Sequence, residues 1–393
     1  MTRSAIRIVL LSSGLTTMTA VPVGAQLAPG SRPLVPGGIY DKPYLQNYSG
    51  GIALGGYMDH ELFVQPDHST FDQHRFIPFI FASPTEYIHV TAEIEFEHGG
   101  LVKGSGTSDG EIKLEFAVMD WVISDAFGFR GGVILTPLGK LNLTHDSPLQ
   151  DLTNRPPVSS QLIPTTLSES GMGVFGVLYP GDWVVGYELY VVNGFNEKII
   201  TGAGDLRVRS GRGSQKSDNN ENKAVAGRLS ASPMLGLDVG VSAHSGTYDP
   251  AGEHRLTIAA ADWDWQRGPF QFLGEAALVN AEIPSAELRL AQTGSADITQ
   301  RGLYAQANYH FGFGTIRRYP ESVFTSIVRW DYVDFNADAS GDDTQQATVG
   351  LNFRPVERSV VKADYRWGWS RGSGTESWSR PDKLFSFSVA TYF

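Results

Sequence analysis

From about residue 50 onward, apolar and polar residues alternate with a period of two. In segment 86–97, Ile88, Val90, Ala92, Ile94 and Phe96 fall on one side, and Tyr87, His89, Thr91, Glu93, Glu95 and Glu97 on the other. Such alternation predicts a strand with one apolar face and one wet face. About 16 segments of this kind recur, centred on 50–63, 73–82, 86–97, 111–123, 127–136, 171–180, 183–193, 223–232, 235–245, 254–264, 269–280, 300–310, 322–333, 345–354, 358–369 and 383–393. In the last, Phe385, Phe387, Val389 and Phe393 share one side, and Leu384, Ser386, Ser388, Ala390 and Tyr392 the other.

The connections alternate in length. Ser83-Pro84-Thr85, Pro180-Gly181-Asp182, Ser232-Pro233-Met234 and Gln266-Arg267-Gly268 are tight turns, whereas 98–110, 137–170, 194–222, 281–299 and 370–382 are long and polar. Short turns at one end and long loops at the other describe a transmembrane antiparallel up-and-down β-barrel in an asymmetric membrane. The connection 311–321 is long for the side on which it falls and is the weakest point of the count. In an isolated strand the apolar face could equally pack on a soluble core. About 16 of them leave an interior too wide for side chains to fill, which predicts a water channel.

The amino terminus gives an address. Arg3 and Arg7 precede the apolar run Ile8 to Leu11, and Val23-Gly24-Ala25 is a small-residue cleavage site. Residues 1–25 are expected to be a signal peptide and 26–49 a short periplasmic leader. Mean hydropathy is −0.16, which excludes a bundle of spanning helices and leaves room for a barrel. There is no cysteine, so thiolate metal sites and cysteine nucleophiles are excluded. The net charge of −11 makes nucleic acid a poor partner. Trp121, Trp183, Trp263, Trp265, Trp330, Trp367 and Trp369 lie near strand ends, as interfacial girdles require.

A strand that ends flush on Phe393 resembles the closing strand of bacterial outer-membrane barrels, whose assembly machinery reads such a terminus. The expected location is therefore the bacterial outer membrane, with lipid and lipopolysaccharide as surroundings. A finer resemblance runs through residues 127–194. Gly131-Gly132-Val133-Ile134-Leu135-Thr136-Pro137-Leu138-Gly139 leads to Thr144-His145-Asp146-Ser147-Pro148, Asn154-Arg155-Pro156 and Ile163-Pro164-Thr165-Thr166. Glu169 to Gly176 and Tyr187-Glu188-Leu189 to Asn193-Gly194 follow. With Gly55-Gly56-Tyr57, Gln73 to Phe76 and Glu93 to His98 upstream, this order resembles the phosphate-selective porin family. The resemblance implies a 16-stranded porin, often a homotrimer, with a long loop folded into the pore, here 137–170.

Parity assigns the candidate solute path. Arg130, Arg329, Arg366, Lys113 and Lys362 point inward, with Arg155 in the long loop. They interleave with Glu93, Glu95, Glu115, Glu188, Asp331 and Asp364, so the lumen is expected to hold paired charges and a transverse field in place of an anion well. The face of Arg75 is not assignable. Loop 194–222 carries Lys198, Arg207, Arg209, Arg212 and Lys216, which could steer anions or simply meet lipopolysaccharide and solvent.

Other chemistries are weaker. His60, Asp67, His68, Asp72 and His74 cluster in an expected outer loop, but match no tight metal-binding spacing. His145, Asp146 and Ser147 are adjacent in sequence, which seldom produces a catalytic triad. No catalytic residue, metal site or cofactor is expected. The expected function is passive diffusion of small hydrophilic solutes or ions, anions such as phosphate among them. A plugged or adhesive barrel, or an outer-membrane hydrolase, is the alternative.

Overall fold

A computed structural model describes residues 38–40, 42, 45, 51–99, 110–201, 204–284 and 297–393. The signal peptide, most of the leader, and parts of loops 98–110 and 281–299 lie outside the described residues. Sixteen strands follow in order. They are β1 (Ile52–Gln65), β2 (His68–Ala82), β3 (Ile88–Glu97), β4 (Glu111–Ser124), β5 (Phe127–Leu135), β6 (Ser168–Leu178), β7 (Val184–Val192) and β8 (Ala224–Met234). Then come β9 (Leu237–Thr247), β10 (Arg255–Arg267), β11 (Phe270–Glu282), β12 (Asp297–Phe311), β13 (Val323–Asp334), β14 (Asp343–Val356), β15 (Ser359–Arg371) and β16 (Asp382–Tyr392).

Each strand pairs antiparallel with its neighbours in sequence, and β16 closes on β1. The closing register runs from Tyr57↔Tyr392 to Val64↔Phe385. Beyond it, Phe393 N donates to Gly56 O at 2.9 Å, and Gly56 N donates to Phe393 O at 3.2 Å. The Phe393 ring stacks on Phe76, with centroids 5.5 Å apart. A Cβ on Gly56 would lie 2.1 Å from Ile77 O, so only glycine fits at this seam. Closure leaves no unpaired edge, as hydrocarbon demands.

The alternation resolves as the pattern requires. Phe385, Phe387 and Val389 are exposed on the outside, while Ser386 and Ser388 are fully buried within. Tyr87, Trp121, Phe127, Tyr179, Trp183, Phe270 and Tyr309, all exposed, band the end that carries the tight turns.

The boundaries differ in places. β1 and β2 continue to a two-residue turn between Gln65 and His68, where an outer loop was expected, because Leu62, Phe63 and Val64 pair with Phe71, Thr70 and Ser69. The β8–β9 turn falls at Leu235-Gly236, two residues later than Pro233 suggests, with a bulge between Ala231 and Met234. The long connection after β12 is a compact knot closed by Gly314 N to Ser322 O at 2.9 Å, so the strand count stands. The connection from β5 to β6, residues 136–167 (loop L3), folds into the barrel, and residues 193–223 after β7 (loop L4) fold over it.

Candidate functional site

L3 has two arms of opposite chemistry. Leu138, Val158, Leu162, Ile163 and Leu167 form one apolar cluster with inward residues of β10–β13, among them Leu256, Ile258, Val279 and Ile298. A single π-helical turn, Val158–Leu162, presents Val158 and Leu162 to that wall. Gly139 has φ +69°, and a Cβ there would meet Glu275 and Ile163, so glycine lets the loop dive against β11.

The other arm is held by polar bonds. Thr153 donates to Asp364 from N at 3.0 Å and from Oγ1 at 2.6 Å. Arg329 donates to Asn154 O at 3.0 Å and lies 3.1 Å from Asp331. Lys362 donates to Ser147 O at 2.8 Å, and Arg354 to Pro148 O at 2.6 Å. Asp151 accepts from Asn308 at 2.7 Å. Gly350 admits this arm, since a Cβ there would lie 2.4 Å from Leu152. Lys362, Asp364, Arg329 and Asp331, expected along the solute path, thus face inward and sit against L3.

The remaining parity residues form separate groups. Arg130 donates to both oxygens of Asp120 at 2.8 Å and to Glu188 at 3.2 Å, and stacks over Phe175. Glu95 accepts from Arg75 at 2.9 Å, and Lys113 is Glu95's register neighbour. Glu115 lies 3.0 Å from His145, and Glu93 lies 3.8 Å from Lys42. Arg366 meets Asp382 at 2.9 Å, near the outer mouth.

Several residues escaped sequence reasoning. Arg75 and His74 both turn inward, because a bulge in β2, where Gln73 and His74 oppose the single residue His60 of β1, shifts parity. A second bulge buries both Glu115 and Phe116. Asp120, Arg228 and Asp262 obey parity, and the last two pair at 2.5 Å. Tyr40 and Lys42 of the expected leader are buried, on Asp120 and on Asp146. No local pattern marks them.

The basic stretch of L4 divides. Lys198 and Lys216 stay exposed, and Arg207 pairs with Asp342 at 3.0 Å. Arg209 donates to Thr165 O at 2.7 Å and Ser160 O at 3.1 Å, and Arg212 to Thr166 O at 3.2 Å. Arg155 donates to His145 O at 3.3 Å. These three guanidiniums are half-buried and their hydrogen bonds go to carbonyls. Burial, then Arg212 and Arg155, lower Arg209 to about 10, which leaves it charged at neutral pH. Burial, then Arg75, also lowers Arg155 from its ordinary value. The stretch is therefore a lid on L3 more than a solvated loop.

The histidine cluster of the sequence disperses: His60 faces outward against Phe71, and His74 reaches Glu61 at 3.0 Å. Ser147 Oγ donates to Asp59, while His145 Nδ1 meets Asn142 O at 2.9 Å. Serine and histidine are aimed at different partners.

No family model matches the chain. A protein of Aquifex aeolicus (strain VF5), described as uncharacterized, is 28% identical over 341 residues, covering 80% of this chain and 75% of its own. The trimer form of OmpT, an outer membrane protein of Vibrio cholerae, superposes with a TM-score of 0.55 at 11% identity, over 88% of this chain and all of its own. An anion-selective porin from Comamonas acidovorans gives 0.54 at 10% identity, over 87% and 99%. The outer membrane channel DcaP of Acinetobacter baumannii gives 0.52 at 12% identity, over 87% and 97%. At these identities the likeness is one of fold. The chain has the porin-type 16-stranded barrel.

Proposed function

We propose that the protein is an outer-membrane diffusion channel for small hydrophilic solutes and ions, with L3 as its constriction. One observation carries this reading. L3 is anchored to two walls of the barrel, while Arg155, Arg209 and Arg212 stand half-buried and, among the described residues, bond to carbonyls, with Arg75 close enough to act on Arg155 and Arg209 and Glu97 on Arg209. Guanidiniums bonded to carbonyls, near a wall that carries carboxylates, set a transverse field at this constriction. Of the residues expected along the solute path, Lys113, Arg155 and the mouth residue Arg366 are half-buried and open to solutes, whereas Glu93, Glu95, Glu115, Arg130, Arg329, Asp331, Lys362 and Asp364 are buried and act on the path through their field. Anions, phosphate among them, are the finer reading, supported by the sequence resemblance and by the L4 arginines. The porin neighbours support the outer membrane as location, and the trimer form of OmpT supports a homotrimer.

A second reading has its own support. Ile39, Tyr40 and Leu45 join Phe79, Phe81, Phe116 and Leu143 in an apolar cluster inside β2–β8, which favours a plugged barrel. Reversal potentials in a planar bilayer across a salt gradient, followed by phosphate, separate the readings. Stepwise conductance with anion preference and phosphate block supports the finer reading. Weak or cation-leaning selectivity leaves a general porin. Absence of conductance overturns the channel and leaves the plug.

A further inference from the structure

Beneath the constriction, β3, β4 and L3 bring together groups that sequence separates widely. Glu93, Glu115 and His145 are all fully buried. Each offers one ligand atom, and these atoms lie within 4.8 Å of one another. Among the described residues, both carboxylate oxygens of Glu93 and Oδ1 of the adjacent Asp146 are buried without a hydrogen-bond partner, and Glu115 Oε1 faces His145 Nε2 at 3.0 Å. Burying so many acceptors unsatisfied is expensive, and such groups are normally paired or bound to a metal.

Two features point to a cation. His145 Nδ1 lies 2.9 Å from Asn142 O, and a carbonyl can only accept, so Nδ1 carries the proton. Nε2 is the ring nitrogen turned toward the carboxylates, 3.0 Å from Glu115 Oε1. A backbone carbonyl behind the ring is how metal-ligating histidines are oriented. The second feature is the supply of oxygen ligands: Glu93, Glu115 and Asp146 offer three carboxyl groups, against which stands one ammonium, Lys42, at 3.8 Å from Glu93 and on Asp146.

We propose that Glu93, Glu115 and His145 form a binding site for one divalent transition-metal ion, which ties L3 to the barrel wall. One imidazole with two carboxylates suits Zn²⁺ or Mn²⁺ better than Ca²⁺, which prefers oxygen alone. Bonds of about 2.1 Å allow ligand atoms at most about 4.2 Å apart, so the side chains close by a few tenths of an ångström on binding. The site does not depend on whether the barrel conducts.

The test uses the full-length protein in detergent, stripped with chelator and titrated with Zn²⁺ by calorimetry, with Mn²⁺ as spectroscopic probe. Saturable binding of one ion per chain is expected, weakened at least roughly 10–100-fold in Glu115→Gln and in His145→Asn. It should persist in Glu61→Gln, which alters the separate Asp59, Glu61 and His74 group. Bound Mn²⁺ should show nitrogen coupling in pulsed electron paramagnetic resonance of the unmutated protein, a readout that needs no variant to fold. Absence of saturable binding, binding unchanged in both site variants, or Mn²⁺ without nitrogen coupling each overturns the proposal.

Discussion

The walls of β10–β12 and of β14–β16 with β1 face the same lumen and are built oppositely. The first shows L3 a surface of Leu256, Ile258, Ala277, Val279, Ala281 and Ile298, and L3 answers with Leu138, Val158, Leu162 and Ile163. The second shows Asn352, Arg354, Lys362, Asp364, Ser386 and Ser388, and L3 answers with backbone carbonyls, Asp151, Thr153 and Asn154. Apolar burial holds the loop tightly but without direction, whereas hydrogen bonds fix its position along the wall. The difference teaches how a loop of more than thirty residues stays in one place: one arm supplies adhesion and the other register.

Breaking the apolar arm should have the largest effect. Leu162→Ala removes a fully buried side chain and is expected to destabilise the loop's seat by about 2–5 kcal/mol. Limited proteolysis within L3 and the urea midpoint should both report it, with β-sheet content unchanged. An unchanged cleavage rate would mean the polar arm alone seats the loop. Asp364→Ala should do less, about 1–3 kcal/mol, by stranding the Thr153 N–H and hydroxyl. Because it also deletes an inward charge, it should move the reversal potential, which Leu162→Ala should not do by charge.

Arg155→Gln sharpens the comparison from the lumen side. It gives up a 3.3 Å bond to His145 O but relieves repulsion with Arg75, so stability should change by no more than about 1 kcal/mol. Its reversal potential should shift toward cations, and an unshifted value would remove Arg155 from the path. The smallest effect is expected outside both walls, at the outer end of β3. The hydrogen bond to Asp72, then burial working against it, leaves His98 raised above 6.5. A raised folded value means its stabilisation is complete below the unfolded value and is lost as pH rises through the folded one. For so exposed a pair this amounts to about 0.2–1 kcal/mol, visible as a pH-dependent difference in melting between the protein and His98→Ala.

Strand after strand was legible from alternation, because a membrane barrel exposes one face to hydrocarbon and the other to polar groups, so period two is enforced along its whole wall. Inward parity for Arg130, Arg329, Lys362 and Asp364 followed from that rule. It failed where a bulge inserted a residue, in β2 opposite Asp59 to Glu61 and in β4 opposite Glu93 and Ile94, which hid His74 and Arg75 and masked the proximity of Glu115 to His145. It also could not pair charges: Arg130 with Asp120, or Arg228 with Asp262, depends on which strands lie side by side and in what register.

By itself, the sequence determined a closed antiparallel barrel with tight turns at one end, long loops at the other and mixed charge within. Those features are local: each needs only a strand's period or a turn's residues. The tertiary structure alone decided that L3 lies between an apolar and a polar wall, that L4 arginines close over it, and that Glu93, Glu115 and His145 meet. Those are contacts between segments tens to hundreds of residues apart, and they exist only once the barrel has closed and curved its walls toward one another.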